Sequence, residues 1–300
     1  MVNGILNVNK PERKTSFDIV SLIRRLSGER RVGHAGTLDP AATGVLPICL
    51  GQGTRIVQFL VDTKKAYRAE IELGVTTSTY DASGEVVWQG DFSRISKEQA
   101  ETVLNSFIGT IQQVPPMYSA LKHQGRPLYE LARLGVAVER QSRTVIIHQL
   151  RIVDWQPPVV TVEVVCGKGT YIRSLAYDLG QILGCGAHLK SLIRLQCGPF
   201  NLGNAISVPQ LEDAFRHGYW QRYIYPVDYV LSHWAAVVVN GDIVQAIRNG
   251  RSIDFSERYE EDGLNYKDYC RAYASDGCFL GVLGFDYNSR LWHPEKVFQG

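Results

Sequence analysis

Two segments of this 300-residue chain set charged side chains on unusual backbone. The first is Gly33-His-Ala-Gly-Thr-Leu-Asp39-Pro-Ala-Ala-Thr-Gly-Val-Leu-Pro47, where three glycines and two prolines fix the path. Pro40 restricts Asp39 to an extended conformation. A carboxylate held on such a stiff loop is positioned, as catalysis requires. Asp followed by Pro is equally the pattern of a helix N-cap and its first residue, so a structural role stays open. His34 shares the loop, and its type alone does not separate a loop histidine from a functional one.

The second segment is Gly167-Lys-Gly-Thr-Tyr171-Ile-Arg173-Ser. A strand, a Gly-x-Gly turn and a helix start make a natural anion site, although the P-loop spacing is absent. Arg173 falls in the first helical turn, where its charge opposes the helix dipole. Either a carboxylate or phosphate offsets it, or it is a surface arginine. A third stretch, Lys64-Lys65-Ala-Tyr67-Arg68, opens a strand. A tyrosine there can stack on a base or belong to the core. No His/Cys/Asp/Glu set has metal-ligand spacing, and no Ser-His-Asp signature stands out. A glycoside hydrolase would need paired carboxylates, and the motif region supplies one aspartate.

These segments need elements to hold them. Residues 3–9 read as a strand, and Thr15-x-x-Asp18 as a capping box before a helix with Ile19, Leu22, Ile23 and Leu26 on one face, stopped at Gly28. Residues 33–53 read as Gly-rich and irregular. Residues 67–73 alternate as a half-buried strand, with Ala69, Ile71 and Leu73 on one face. Ser96-x-x-Gln99 caps a helix through Phe107. Residues 110–143 read as an insertion with a short helix at 128–134 and a basic surface. Strands over 144–153 and 159–166 flank Pro157-Pro158. A helix then carries Ile172, Leu175, Ala176 and Leu179 on one face. Strands and helices alternate without a regular βαβ rhythm, so the class is α+β with a mixed, largely antiparallel sheet. A boundary near 226–234 precedes a small β-rich module with strands at 235–239 and 278–285, a helix at 242–248, and an acidic loop at 257–268.

Composition is that of an ordinary globular protein, 45% apolar and 21% charged. No apolar run approaches the ~20 residues of a membrane span, and no signal peptide is evident. Six scattered cysteines without a C-x-x-C pair read as buried reduced thiols in a cytoplasmic protein. Net charge is only +2, but residues 1–75 carry 11 Lys/Arg against 7 Asp/Glu, and residues 233–300 carry 7 against 10. The basic excess lies with the motifs and suits a polyanionic partner.

Taken in order, the motifs closely resemble the tRNA uridine-55 pseudouridine synthases of the TruB family. The matching pieces are Asn9-Lys-Pro11 with Thr15-Ser16, the G-T-L-D-P-x-A-T-G-x-L-P block from Gly36 to Pro47, and Lys65-x-Tyr67. Gln113-Val-Pro-Pro116 with Ser119-Ala-Leu-Lys122, Gly169-Thr-Tyr-Ile-Arg173 and Gly186-Ala-His188 also match. The resemblance implies a catalytic domain over 1–228, with an RNA-gripping insertion at about 110–143, and a PUA-like module over 229–300. It places the catalytic aspartate at Asp39, the active-site tyrosine at Tyr67 and the arginine that pairs with the aspartate at Arg173. Substrate contacts fall on His34, Tyr67, Tyr171 and Leu192. Phosphate contacts are expected from Lys64, Lys65, Arg68, Lys122, Arg126 and Arg133. The implied reaction isomerises a flipped-out uridine in the tRNA T arm, in a monomeric enzyme without cofactor or metal. The alternative is a non-catalytic RNA-binding or tRNA-folding protein on the same scaffold.

Overall fold

The computed structural model describes residues 2–136, 138–254 and 268–299. In chain order it runs β1 (Gly4–Lys10), α1 (Ser16–Ser27), β2 (Val32–His34), β3 (Thr43–Leu50), α2 (Val57–Val61), β4 (Lys65–Leu73), β5 (Val75–Thr77), β6 (Val86–Gln89), α3 (Lys97–Ser106) and β7 (Gly109–Gln113). Next come β8 (Lys122–His123), β9 (Arg126–Pro127), α4 (Leu128–Arg133), β10 (Arg143–Gln156), β11 (Val159–Cys166), α5 (Ile172–Leu183), β12 (Ala187–Cys197), β13 (Phe200–Asn201), β14 (Ile206–Ser207), α6 (Val208–Arg216) and β15 (Ile224–Tyr225). The last part holds β16 (Ala236–Val239), α7 (Gly241–Arg248), β17 (Tyr269–Ala274), β18 (Phe279–Asp286) and β19 (Leu291–Val297).

Local chemistry sets the helix ends. Thr15 Oγ1 accepts from Asp18 N while Asp18 Oδ2 accepts from Thr15 N, closing the expected capping box of α1. Gly28 ends that helix in the left-handed conformation at φ 69°. Ser96 and Gln99 cap α3 in the same reciprocal way.

One mixed sheet forms the body, in the order β14-β1-β3-β12-β4-β11-β10-β7. Most of its pairs are antiparallel. The exceptions are β1–β14 and the contact of β12 with β3, which consists only of Ile193↔Thr43 and Arg194↔Gly44. Beyond these two rungs β12 leaves β3, and β2 takes its place at Val32–His34. The sheet therefore parts at its middle, and the loop before β3 lies at the parting. One face buries Ile19, Ile23, Tyr67, Ala69, Ile71, Leu175 and Leu179 between strands and helices. The other buries Ile5, Val45, Cys49, Ile56, Leu60 and Phe200 together with Val230, Leu231, Val282 and Phe298. The C-terminal four-stranded sheet β16-β17-β18-β19 thus shares a core with the body as well as having its own. A division at 228/229 falls inside the 3-10 turn Val227–Leu231 that feeds this shared core.

Three expectations need correction. Eight residues of the irregular 33–53 stretch form β3, a strand buried along most of its length. Pro47 disguised it, because proline removes a ladder donor. The Pro47 carbonyl accepts from Ala35 N at 3.0 Å, so its ring nitrogen faces that side and leaves the β1 ladder intact. The start of the supposed insertion, 109–113, is β7, the edge partner of β10. In the C-terminal part β17 and β19 were not anticipated. β19 carries Pro294, Glu295 and Lys296, residue types that suit an edge strand and blur its pattern. The acidic 257–268 stretch, apart from Asp268, lies outside the described residues.

Gly44 makes the crossing of β3 and β12 possible. It sits at φ +101°, and a Cβ there would lie 2.3 Å from the Arg194 carbonyl oxygen. Backbone on both sides leaves no flexible group to move. Gly44→Ala is therefore expected to destabilise the fold by about 2 kcal/mol or more, read as a lower urea midpoint at unchanged m-value. A midpoint equal to wild type would refute this view of the crossing.

Candidate active site

Asp39 leads a tight turn in which Ala42 N donates to the Asp39 carbonyl at 3.0 Å. Pro40 sits second in that turn, where its fixed φ is preorganised. The helix-cap alternative for Asp39 is thus not what the chain adopts, and its carboxylate is left free. Three buried groups pin the turn from behind. Ser16 Oγ accepts from Leu38 N at 2.9 Å and donates to Leu38 O at 3.2 Å. Lys10 Nζ donates to the carbonyls of Pro40, Pro11 and Lys14 at 3.2, 2.9 and 2.6 Å. Arg194, 1% exposed, donates to Val45 O and Gly36 O at 2.6 and 3.0 Å. Burial pulls Lys10 down to about 8, with the nearby Asp39 carboxylate opposing the fall.

Arg173 is the second residue of α5 and is buried at 5% exposure, not a surface arginine. Its fork closes on Asp39, with Nε to Oδ2 at 2.9 Å and a terminal nitrogen to Oδ1 at 3.1 Å. This is the bidentate geometry in which guanidinium and carboxylate are matched. The same guanidinium reaches Tyr118 O at 2.9 Å and Asp81 Oδ2 at 3.6 Å. The start of α5 is itself clamped: Gln113 accepts from Tyr171 N at 2.8 Å and donates to Tyr171 O at 3.0 Å.

Asp81 is the carboxylate missed in the sequence. It accepts from Thr79 Oγ1 and from Ser83 N and Oγ at 2.6, 3.0 and 2.5 Å, so it is fixed before Arg173 reaches it. The Thr-x-Asp-x-Ser spacing is an Asx-type turn signal that could have drawn attention to it. Asp39 and Asp81 share one guanidinium. The Asp39 carboxyl is consequently pushed above the ordinary carboxylate range, first by burial and then by Asp81, while Arg173 and Lys10 pull it back. The ionisation of Asp39 is thus a balance of burial, Arg173, Asp81 and Lys10.

Tyr67 lies on β4 directly opposite Arg194 of β12, and Leu192 stands on the same face opposite Ala69. Burial pushes the Tyr67 phenol up to about 12, with the Arg194 guanidinium opposing, so it stays protonated at neutral pH. Arg194 therefore links Tyr67 to Gly36 in the Asp39 loop. Burial also pushes the Tyr171 phenol up, and Asp39 is among the charges that act on it. His34 sits on β2 with its pKa lowered by burial and then by Arg194, so it is neutral at pH 7. Its buried Nδ1 has no hydrogen-bond partner among the described residues.

The expected phosphate contacts divide. Lys64 is exposed just before β4, and Lys122, Arg126 and Arg133 are exposed on the excursion between β7 and β10. Lys65 is buried, and its ammonium donates to Val61 O and Thr63 O at 2.5 and 2.8 Å, so it does not reach a phosphate. Arg68 points to the face opposite Tyr67 and pairs with Glu163 at 2.9 Å. Strand alternation is the reason in both cases: Lys65 shares the inward parity of Tyr67 and Ala69, and Arg68 has the other. Among the described residues no group of three or more His, Cys, Asp or Glu is placed to hold a metal ion.

The central mixed sheet with a C-terminal β-rich sheet is the architecture of the Cbf5/TruB-type pseudouridine synthases. The chain overlays the crystal structure of a Cbf5-Nop10-Gar1 complex with a TM-score of 0.75 at 25% identity, over 99% of this chain and 85% of that one. Residues 24–172 match the N-terminal domain model of the TruB family pseudouridylate synthases, and residues 173–232 match the tRNA pseudouridylate synthase B C-terminal domain model. A "tRNA pseudouridine synthase B" of Dehalococcoides mccartyi is 41% identical over 297 residues, 99% of this chain and 97% of the relative. One of the same description from Clostridium kluyveri is 44% identical over 281 residues, 94% and 95% of the two chains. This chain belongs to the TruB family of pseudouridylate synthases.

The shared guanidinium gives a pH test. The rate should fall on acidification as Asp39 takes a proton, with a midpoint above that of an ordinary aspartate. Asp81→Asn removes the neighbouring negative charge, so the acid limb of kcat/KM should move to lower pH even as turnover falls. An acid limb that stays in place or moves up would contradict the shared-charge balance.

Proposed function

We propose that this chain isomerises uridine to pseudouridine in tRNA, at position 55 in the T arm, with Asp39 as the catalytic carboxylate. The observation that carries this reading is the forked contact of Arg173 on Asp39, at 2.9 and 3.1 Å, in a turn pinned from behind. The reaction breaks the bond from uracil N1 to ribose C1′ and forms one from C5 to the same carbon. The C5 proton leaves, N1 gains a proton, and no redox change occurs. The chemistry needs a placed carboxylate and a pocket that retains the detached ring, and imports no group.

In this reading the uridine leaves the stack and enters the opening at β3, β12 and β4. Extrusion costs a few kcal/mol, offset by contacts elsewhere on the RNA. Tyr67 and Leu192 hold the two faces of the uracil, and Tyr67 as a neutral phenol serves as a hydrogen-bonding group and relay for the C5 proton. Tyr171 lines the entrance, and neutral His34 fills the space left in the RNA. Asp81 is a positioning residue: it acts through Arg173. Lys64, Lys122, Arg126 and Arg133 contact phosphates, which makes binding salt-dependent. The C-terminal module is read as PUA-like, and the protein as a cytoplasmic monomer. A pure RNA binder gains nothing from a carboxylate clamped by an arginine and facing a polyanion, which disfavours the non-catalytic alternative.

Asp39→Asn is expected to abolish tritium release from C5-labelled uridine in tRNA while affinity stays within a few-fold of wild type. Mapping the product of the wild-type protein on unmodified tRNA should give one pseudouridine, at position 55. Full release by the variant would remove Asp39 from the chemistry, and a product elsewhere would overturn the choice of site.

A further inference from the structure

The segment between β1 and α1 is sewn to the catalytic turn. Lys10 Nζ grips Pro11 O and Lys14 O as well as Pro40 O, and Arg13 N donates to Pro40 O at 2.9 Å. Arg13 thus sits one peptide from Asp39. Its φ is 64°, in the left-handed region that is free to glycine and costly to a residue with a Cβ. A turn that needed only this backbone path would be served better by glycine. The side chain present instead is an arginine that is exposed and has no hydrogen bond or ion pair among the described residues.

Two neighbours share this exposure. Lys14 is exposed while its carbonyl is held by Lys10. Phe17, in the first turn of α1, is 62% exposed. The helix buries Ser16, Ile19, Val20 and Ile23 on its inner face, and Phe17 stands off that face with no ring contact among the described residues. Two exposed cations within four residues of a solvent-facing aromatic ring are the parts from which single-stranded nucleic-acid sites are made: charge for the backbone and a flat face for a base. Here those parts are carried on a segment hydrogen-bonded to the turn that holds Asp39.

We propose that Arg13, Lys14 and Phe17 form a nucleotide platform at the active-site rim. The two cations take phosphates next to the extruded uridine, and Phe17 stacks on an adjacent unpaired base. The proposal rests on the tRNA reading above. Because the segment is tied to Pro40, RNA held there is held in register with Asp39. The strain at Arg13 then has a reason, since it places a charge where glycine would leave none.

The test measures tRNA affinity over a salt series, beside thermal melting, for the full-length protein and for Arg13→Gly, Phe17→Ala and Phe17→Trp. Glycine keeps the backbone path, so Arg13→Gly should melt no lower than wild type. It should still bind tRNA about five-fold more weakly and lose about one from the slope of log affinity against log salt. Phe17→Ala should weaken binding about ten-fold, and Phe17→Trp should restore it. Wild-type affinity and slope in Arg13→Gly, or wild-type affinity in Phe17→Ala, overturns the platform. Wild-type protein that binds tRNA without forming pseudouridine would refute the isomerase reading alone, because the platform is judged on affinity.

Discussion

One forked contact, Arg173 on Asp39, organises the rest of the structure. A carboxylate that must meet a polyanionic substrate is repelled by it, and one recessed in protein tends to take up a proton. A guanidinium held at 2.9 and 3.1 Å answers both problems and fixes the direction in which the carboxylate points. At about 4 Å and an effective dielectric near 20 the gross attraction is ~4 kcal/mol, less the cost of taking both groups from water. Here the attraction is divided, since Asp81 approaches the same guanidinium at 3.6 Å. The result is an aspartate that burial and a second acid move upward and two cations hold back. That shift brings its ionisation closer to neutral pH.

The scaffold serves this contact from three directions. Arg173 comes from a helix start clamped by Gln113, Asp81 from a turn closed by Thr79 and Ser83, and Asp39 from the loop at the parting of the sheet. Behind that loop stand Lys10 and Arg194, both almost fully buried and held by backbone carbonyls. Carbonyl oxygens stabilise a buried cation without cancelling its charge. The backbone behind the Asp39 turn therefore holds two buried cations. The C-terminal sheet packs into the core on the opposite face, so its influence on the site runs through the body.

Much of this was legible in the sequence, for physical reasons that differ by element. Capping boxes at Thr15 and Ser96 are local chemistry and appeared where expected. The β4 alternation was visible; it marks Arg68 as outward, and carried two residues back it marks Lys65 as inward. Arg173 was ambiguous because its partner is distant along the chain; only the combined order of motifs pointed to Asp39. Asp81, Tyr118, Lys10 and Arg194 were missed as parts of the site because their roles come from three-dimensional convergence. Strand β3 was hidden by glycine and proline, whose usual meaning is a turn. In this fold they let two strands cross and let a loop leave the sheet.

The central claim is that aim matters as much as charge: the fork of Arg173 directs Asp39 at the extruded nucleotide. Arg173→Lys retains a positive charge at the same place and loses the two-pronged geometry. Single-turnover rates with saturating tRNA test it most directly. The variant's rate should be lower by at least ~100-fold, with tRNA affinity retained, as for misplacement of a reacting group by about an ångström. A lysine variant that isomerises uridine at close to the wild-type rate would contradict it.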